Sequence, residues 1–267
     1  MNKLAKEIES LDEEQKQLVF ERIEALFAKV TTQLNRQSSK EKVTTVDPQG
    51  ESHTNTRSTV NTTRLSRIMR ELDKVEREVA KALYDETVDA MEVAAALTVS
   101  FLMAETGVRA AHNINVDKSL GKTVVVGDKT LQQRTQVLSS ELTADVRKAI
   151  RQGVLGGVDV SDIVNNVSEI VEGNSWQVNR LVESEIYTAY RYQFGHTSDK
   201  NGFDWIRIHE SFPRHPRRKM HRCYPLANAD KYGKGKGVYK STDVEIFFPH
   251  PQCTSWLELV EVEGDAD

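Results

Sequence analysis

The chain has 267 residues, 38% hydrophobic and 28% charged, with a net charge of -4 and few glycines (14) or aromatics (7%). That length holds one or two domains with a real core, and the composition is ordinary for a soluble protein and leans toward helix. Two cysteines thirty residues apart cannot define a disulfide scaffold. No run reads as apolar enough to cross a bilayer, and Met1–Glu7 is not followed by a signal-peptide core, so the expectation is a protein made and used without Sec export.

Ser10-Leu11-Asp12-Glu13 has the spacing of a capping box, and Leu11, Leu18, Ile23, Leu26 and Val30 follow at helical intervals. The spacing predicts a helix over about 11–32, preceded by at most a short helical turn, and residues 1–34 read as a docking helix for a neighbouring protein, with a cap on the main body as the alternative. Residues 35–63 are rich in Ser, Thr, Asn and Gln around Pro48-Gln49-Gly50, which predicts a flexible linker or mobile arm. Over 64–129 a long helical region follows. Leu65, Ile68, Leu72, Val75, Val79 and Leu83 form one face, Met91, Ala95, Val99 and Leu102 extend it, and the helix or helix pair breaks near Gly107. Thr123-Val124-Val125-Val126 is β-prone and weakly signalled.

Thr130-Leu131-Gln132-Gln133 has a second capping-box spacing and opens a helix that ends at Gly156-Gly157. Asp159-Val160-Ser161-Asp162 caps a shorter one, closed by Gly173. Trp176 to Phe194 form the last long helix, with Gly195 as its expected stop. Glu185 lies at the edge of that helix's apolar face. A covered carboxylate needs a partner, and the expected one is an Arg or His of the C-terminal block. Glu185, Trp205 and Trp256 are the expected structural anchors. Trp205-Ile206-Arg207-Ile208 reads as a strand, and Ile246 to Trp256 as a returning segment. The fold class is α+β: mostly long helices with a small C-terminal strand-containing domain rich in His, Arg and Lys, spanning 130–257, before an acidic tail at 258–267.

Chemistry concentrates in that last third. From Lys200 to Lys240 eleven Lys/Arg face three acids, so the block carries +8 on a chain that is acidic elsewhere. Arg214, Arg217, Arg218, Lys219, Arg222, Lys231, Lys234, Lys236 and Lys240 can contact phosphate, and Tyr224, Tyr232 and Tyr239 can stack on bases. The alternative is a solvated loop beside an acidic tail. Cys223, His250 and Cys253, with one of His221, His209 or His215, have compact ligand pairings for a structural zinc, if antiparallel strands bring the pairs together. The competing reading makes the cysteines small buried hydrophobes and leaves the protein without a cofactor. His221 and Cys223, two apart on a strand, could also form a nucleophile pair, but no oxyanion motif or nucleophile turn accompanies them.

Three features in order resemble a known family: the helix Arg180-Leu181-Val182-Glu183-Ser184-Glu185-Ile186-Tyr187-Thr188-Ala189-Tyr190, the strand Trp205–Ile208, and the ending Pro249-His250-Pro251-Gln252-Cys253. They are similar to the phage head morphogenesis family, the minor head or minor capsid proteins of tailed bacteriophages, over roughly Leu131 to Val260. Glu185 matches the acidic position of the family helix, with Ser184 where Thr is commoner. His250, Pro251 and Cys253 match the terminal motif, which here runs on as Thr254-Ser255-Trp256 without the family's second cysteine. The resemblance implies a non-enzymatic virion protein inside the head near the portal, present in the host cytoplasm during assembly. Its implied partners are the portal or major capsid protein and packaged double-stranded DNA, with no membrane. The alternatives are a DNA-associated internal or ejected virion protein without an assembly role, or a Cys/His-dependent hydrolase or nuclease.

Overall fold

The computed structural model describes residues 3–108, 112–124, 128–210 and 218–261, with Arg218 described in its backbone only. The fold is α+β and dominated by long helices. The chain divides into two compact units, one built from Met1–Leu18, Tyr84–Arg134 and Asn179–Asp267, the other from Val19–Leu83 and Thr135–Val178.

Helix α1 runs unbroken over Lys3–Gln37. It starts earlier than Ser10 predicts because Leu4 and Ile8, both fully buried, extend the apolar stripe backward through Leu11. Ser10 therefore lies inside the helix and caps nothing, and Asp12 two residues on is a buried side chain with Lys16 Nζ 2.9 Å from its Oδ2. Burial lifts the Asp12 carboxyl to about 6, against the pull of Lys16 and with some help from Glu183 and Glu13. The sign follows from linkage. Between pH 3.8 and about 6 the folded chain holds a proton that the unfolded chain has lost, so stability falls as pH rises through that window. Asp12→Asn should accordingly stabilise the protein at pH 7, by up to about 3 kcal/mol. It should also flatten the decline between pH 4 and about 6 in a pH series of thermal melts; an unchanged profile would rule Asp12 out as its source.

The stretch 35–63, expected as a flexible linker, is laid out as an antiparallel ribbon of β1 (Ser38–Val46) and β2 (Ser52–Val60), paired from Ser38↔Val60 to Val46↔Ser52. Asp47 Oδ1 ties the turn by accepting from the N–H groups of Gln49 (3.0 Å) and Glu51 (2.7 Å), and Gly50 takes a φ of +85° that suits glycine. Most of its residues are exposed on both faces, so no hydrophobic alternation announced the strands. The ribbon is rooted in its own unit: Ser58 N–H donates to Asp159 Oδ2 (2.8 Å) and Arg57 Nη1 to the Gly157 carbonyl (2.8 Å).

Helix α2 is a single helix over Thr62–Thr106. It ends where expected: Gly107, at φ +67°, returns its N–H to the Met103 carbonyl (3.0 Å). Contrary to the sequence expectation, α2 holds a window long and apolar enough to cross a membrane, and half of that window is buried inside the protein. Its alanines explain both facts, since they raise hydropathy and let neighbours approach closely; Ala94 and Ala95 are buried. The β-prone run at 123–126 lies partly outside the described residues, as does the acidic tail beyond Glu261.

Helix α3 spans Leu131–Leu155. The second capping box forms in both directions: Gln133 N–H donates to Thr130 Oγ1 (3.2 Å), and Thr130 N–H to Gln133 Oε1 (2.9 Å). In α4 (Val160–Gly173), Asp159 is the N-cap and accepts from Ser161 N–H (2.9 Å). The buried rows Ile68, Leu72, Val75, Val79 and Leu138, Leu142, Val146, Ile150 supply the core of the second unit, together with Ile163 and Val167 of α4.

Helix α5 covers Ser175–Lys200 and passes straight through Gly195, the expected stop. A Cβ at Gly195 would lie 2.0 Å from the Phe247 ring, so the glycine makes room for an aromatic side chain instead of ending a helix. Gly195→Ala should push Phe247 out of its seat and cost about 1–3 kcal/mol in a denaturation series, the usual range for overpacking. A melt equal to the parent's would mean that the ring moves aside freely.

The C-terminal sheet has the order β4-β3-β5: β3 (Trp205–His209) pairs antiparallel with β4 (Val238–Lys240) and β5 (Trp256–Leu259). Between β3 and β4 lies the short helix α6 (Cys223–Asn228). Between β4 and β5, a 3-10 turn at Val244–Ile246 and a loop replace the expected continuous return.

Candidate metal centre

Helix α5 is the scaffold on which the C-terminal loop is shaped. Arg191 is only 1% exposed. Its guanidinium donates to three main-chain carbonyls: Nε to Phe247 (2.9 Å), and Nη1 to Cys253 (2.5 Å) and Ser255 (3.3 Å). The residue before it, Tyr190, clamps the first residues of β5, its hydroxyl accepting from Leu257 N–H at 2.8 Å. A buried cation is costly unless its donors are met, and here carbonyls of a loop that lacks regular pairing meet them.

Within the loop so held, Gln252 takes a φ of +57°, rare for a residue with a Cβ. That left-handed step turns the chain back, so that His250 and Cys253 face the same point. Cys223, the first residue of α6, comes to it from the other side. The ligand atoms of Cys223, His250 and Cys253 all lie within 4.8 Å of one another. His250 Nε2 sits 3.2 Å from Cys223 Sγ, and its Nδ1 is 2.7 Å from the Pro251 carbonyl. A carbonyl can only accept, so Nδ1 carries the proton and, in the neutral ring, the Nε2 lone pair is the one turned to the thiols.

Electrostatics favour thiolate here. Burial pushes the Cys253 thiol up, but the Cys223 hydrogen bond, the Arg191 charge and His250 outweigh it and hold the thiol well below its ordinary value. Burial pulls His250 down, yet its contacts with Cys253 and the Pro251 carbonyl prevail and the net shift is upward. Cys223 and Cys253 are 3% and 1% exposed, so this chemistry faces inward. The arrangement is a Cys/His cluster able to bind a metal.

Of the other histidines named as fourth ligands, His221 lies edge-on to His250 with ring centroids 4.6 Å apart. His209 is elsewhere: it stacks on Trp256 at 3.7 Å, and its Nε2 is 2.8 Å from Glu258 Oε2. His215 lies outside the described residues, as do Arg214 and Arg217. The strand expected to carry His221 and Cys223 is absent; Cys223 opens a helix, so the two are not alternate residues on one face.

Among the expected phosphate contacts, Lys219, Arg222, Lys236 and Lys240 are exposed, and Arg218 opens a 3-10 turn. Lys231 is bound to Glu245 (2.8 Å) and Asp243 (3.3 Å), Arg222 approaches Glu245 (3.9 Å), and Lys234 lies over the Trp205 ring. Tyr239 cannot stack on a base: it is 2% exposed, with its hydroxyl donating to the Leu226 carbonyl. Trp205 meets Tyr232 edge-on at 5.5 Å, and Trp256 carries the His209 stack. Glu185 is 1% exposed and pairs with Arg134 Nη1 at 2.5 Å, so its partner comes from the start of α3 and not from the C-terminal block.

Sequence reasoning missed the roles of Arg191, Tyr190, Gly195 and Gln252. The available signal was an arginine set among Tyr187, Tyr190 and Phe194 on the buried face of a helix, a place where an unpaired charge is not tolerated. Comparison of the chain with protein-family models, with curated proteins and with solved structures finds no match.

Proposed function

We propose that the chain is a structural, non-catalytic minor head protein of a tailed bacteriophage. In this reading it docks on the portal or the inner capsid surface during head assembly in the host cytoplasm, and in the head it contacts packaged double-stranded DNA without regard to sequence. The observation that carries the reading is how the C-terminal block spends its side chains. Its reactive groups, Cys223 and Cys253, are buried, while Lys219, Arg222, Lys236 and Lys240 are exposed. A surface of that kind binds a polyanion and leaves no thiol open to a substrate. The ordered resemblance of Arg180–Tyr190, Trp205–Ile208 and Pro249–Cys253 to head morphogenesis proteins supports the same reading.

Within it, the Cys/His cluster holds a structural zinc. Two thiolates and an imidazole are a zinc donor set, and the Pro251 carbonyl on His250 Nδ1 is the outer partner that orients a metal-bound histidine. His221 is the neighbour from which a fourth bond can come. The ion would cross-link α6 to the loop before β5 and supply no catalytic step. One observation favours a second reading: the 3.2 Å contact of His250 with Cys223 is also the geometry of an activated thiol.

The test is incorporation. Full-length protein and a 35–267 truncation are produced with the head components of a tailed phage, and assembled heads are imaged and their protein quantified. Density beside the portal with the full chain is the expected result, and its loss on truncation counts for docking where a thermal melt shows the truncated chain folded, since α1 also carries the buried Leu4, Ile8, Ile23 and Leu34. Normal copy number without residues 1–34 rejects the docking role, and turnover of a phosphodiester or ester that vanishes in Cys223→Ser rejects the non-catalytic one.

A further inference from the structure

The strand β3 alternates cleanly. Ile206 and Ile208 face inward at 0% and 1% exposure, while Trp205, Arg207 and His209 stand half-exposed on the other face. The register sets Lys240 opposite Trp205, Glu258 opposite Arg207 and Trp256 opposite His209. The outer face of an antiparallel sheet ordinarily carries small polar side chains. This one carries large rings at both ends: the Trp205–Tyr232 pair at 5.5 Å and 69°, and the His209–Trp256 stack at 3.7 Å and 4°.

We propose that this outer sheet face binds single-stranded nucleic acid by base stacking, with the two aromatic pairs as stations and the adjoining cations on the phosphates. The stations are four residues apart along β3, about 13 Å at the rise of a strand. Around them Lys234 Nζ lies 5.6 Å from the Trp205 ring, Lys240 Nζ lies 5.8 Å from the Tyr232 ring, and Arg207 is 37% exposed midway between the stations. Two carboxylates adjoin the stations, and both are engaged, which offsets their repulsion of phosphate: Glu258 with His209 (2.8 Å) and Arg207 (3.9 Å), and Asp243 with the Tyr232 hydroxyl (3.2 Å) and Lys231 (3.3 Å). An unpaired strand fits this chemistry better than a duplex, because paired bases have both π-faces covered by their neighbours and cannot be laid on a ring. Contact with packaged duplex needs only the exposed cations of the loop; the rings are superfluous to it. The inference thus goes beyond the head-protein reading and does not depend on it.

The experiment is fluorescence anisotropy with full-length protein, using labelled oligo-dT of about 20 nucleotides, longer than a single-fold site, and a duplex of equal length. Expected results are at least tenfold tighter binding of oligo-dT, and a loss of roughly 5- to 150-fold in Trp205→Ala and in Trp256→Ala, the range that removal of one stacked base spans. Phenylalanine at either position should restore most of the affinity. Lys240→Gln, on an exposed side chain, should lower the salt slope for oligo-dT by about 0.7. Thermal melts check each variant; if an alanine variant does not fold, Trp205→Leu or Trp256→Leu, which keep apolar volume but lose the ring, replaces it. Equal or tighter duplex binding, no binding of oligo-dT, or affinity indifferent to loss of the rings overturns the proposal.

Discussion

On the zinc assignment proposed above, Cys253→Ser should abolish metal binding by the Cys/His cluster and loosen the C-terminal block. Serine nearly preserves the volume of the thiol, so the substitution tests ligation and not packing. Purified parent protein is expected to carry one zinc equivalent by elemental analysis, and the variant far less. Structural zinc in small domains contributes of the order of 10 kcal/mol to folding, so losing one of two thiolates should cost about 3 kcal/mol or more. Chelator should bring the parent's melting curve to that of the variant. A parent that is metal-free as isolated, and whose melt ignores both chelator and added zinc, would leave Cys223 and Cys253 as buried hydrophobes and end the zinc assignment.

Arg191→Met comes second in expected effect. Methionine fills much of the space but donates nothing, so the carbonyls of Phe247, Cys253 and Ser255 lose their shared donor while still buried. Each buried acceptor left without its donor costs about 1–3 kcal/mol, and three are left here. The damage should also be local. Hydrogen exchange should rise across 247–257, and both cysteines, now protected, should react with a thiol reagent in the native state. Protected thiols and an unshifted denaturation midpoint would show that the loop holds its shape without the guanidinium.

Much of the helical frame was legible because its signals are local. Thr130 and Gln133 stand at the one spacing that lets each cap the other, Asp159 precedes an apolar run, and Gly107 terminates α2. The pairing of His250 with Cys253 likewise put the cluster within view. The rest depended on partners distant in sequence. Gly195 carries the same local signal whether it stops a helix or admits a ring, and only Phe247 decides. Glu185 announced its need for a cation but not which one, since Arg134 is fifty-one residues away. The Ser10 capping spacing misled because Leu4 and Ile8 carry the helix through it. The β1-β2 ribbon escaped because strands wet on both sides have no period to read.

That ribbon is long for the contacts that hold it. Nine paired positions set its tip about 30 Å from its root. At the root one carboxylate does two jobs: Asp159 Oδ1 accepts from Ser161 to start α4, and Oδ2 accepts from Ser58 to hold the ribbon. Those bonds hold the acid below its ordinary value, so the joint is whole at neutral pH and slackens only as pH falls below the usual carboxylate range. A pull at the far end therefore reaches the start of α4 through two side chains, Asp159 on Ser58 and Arg57 on the Gly157 carbonyl, and loss of the Ser58 bond alone leaves Asp159 Oδ1 on Ser161 to hold the helix start.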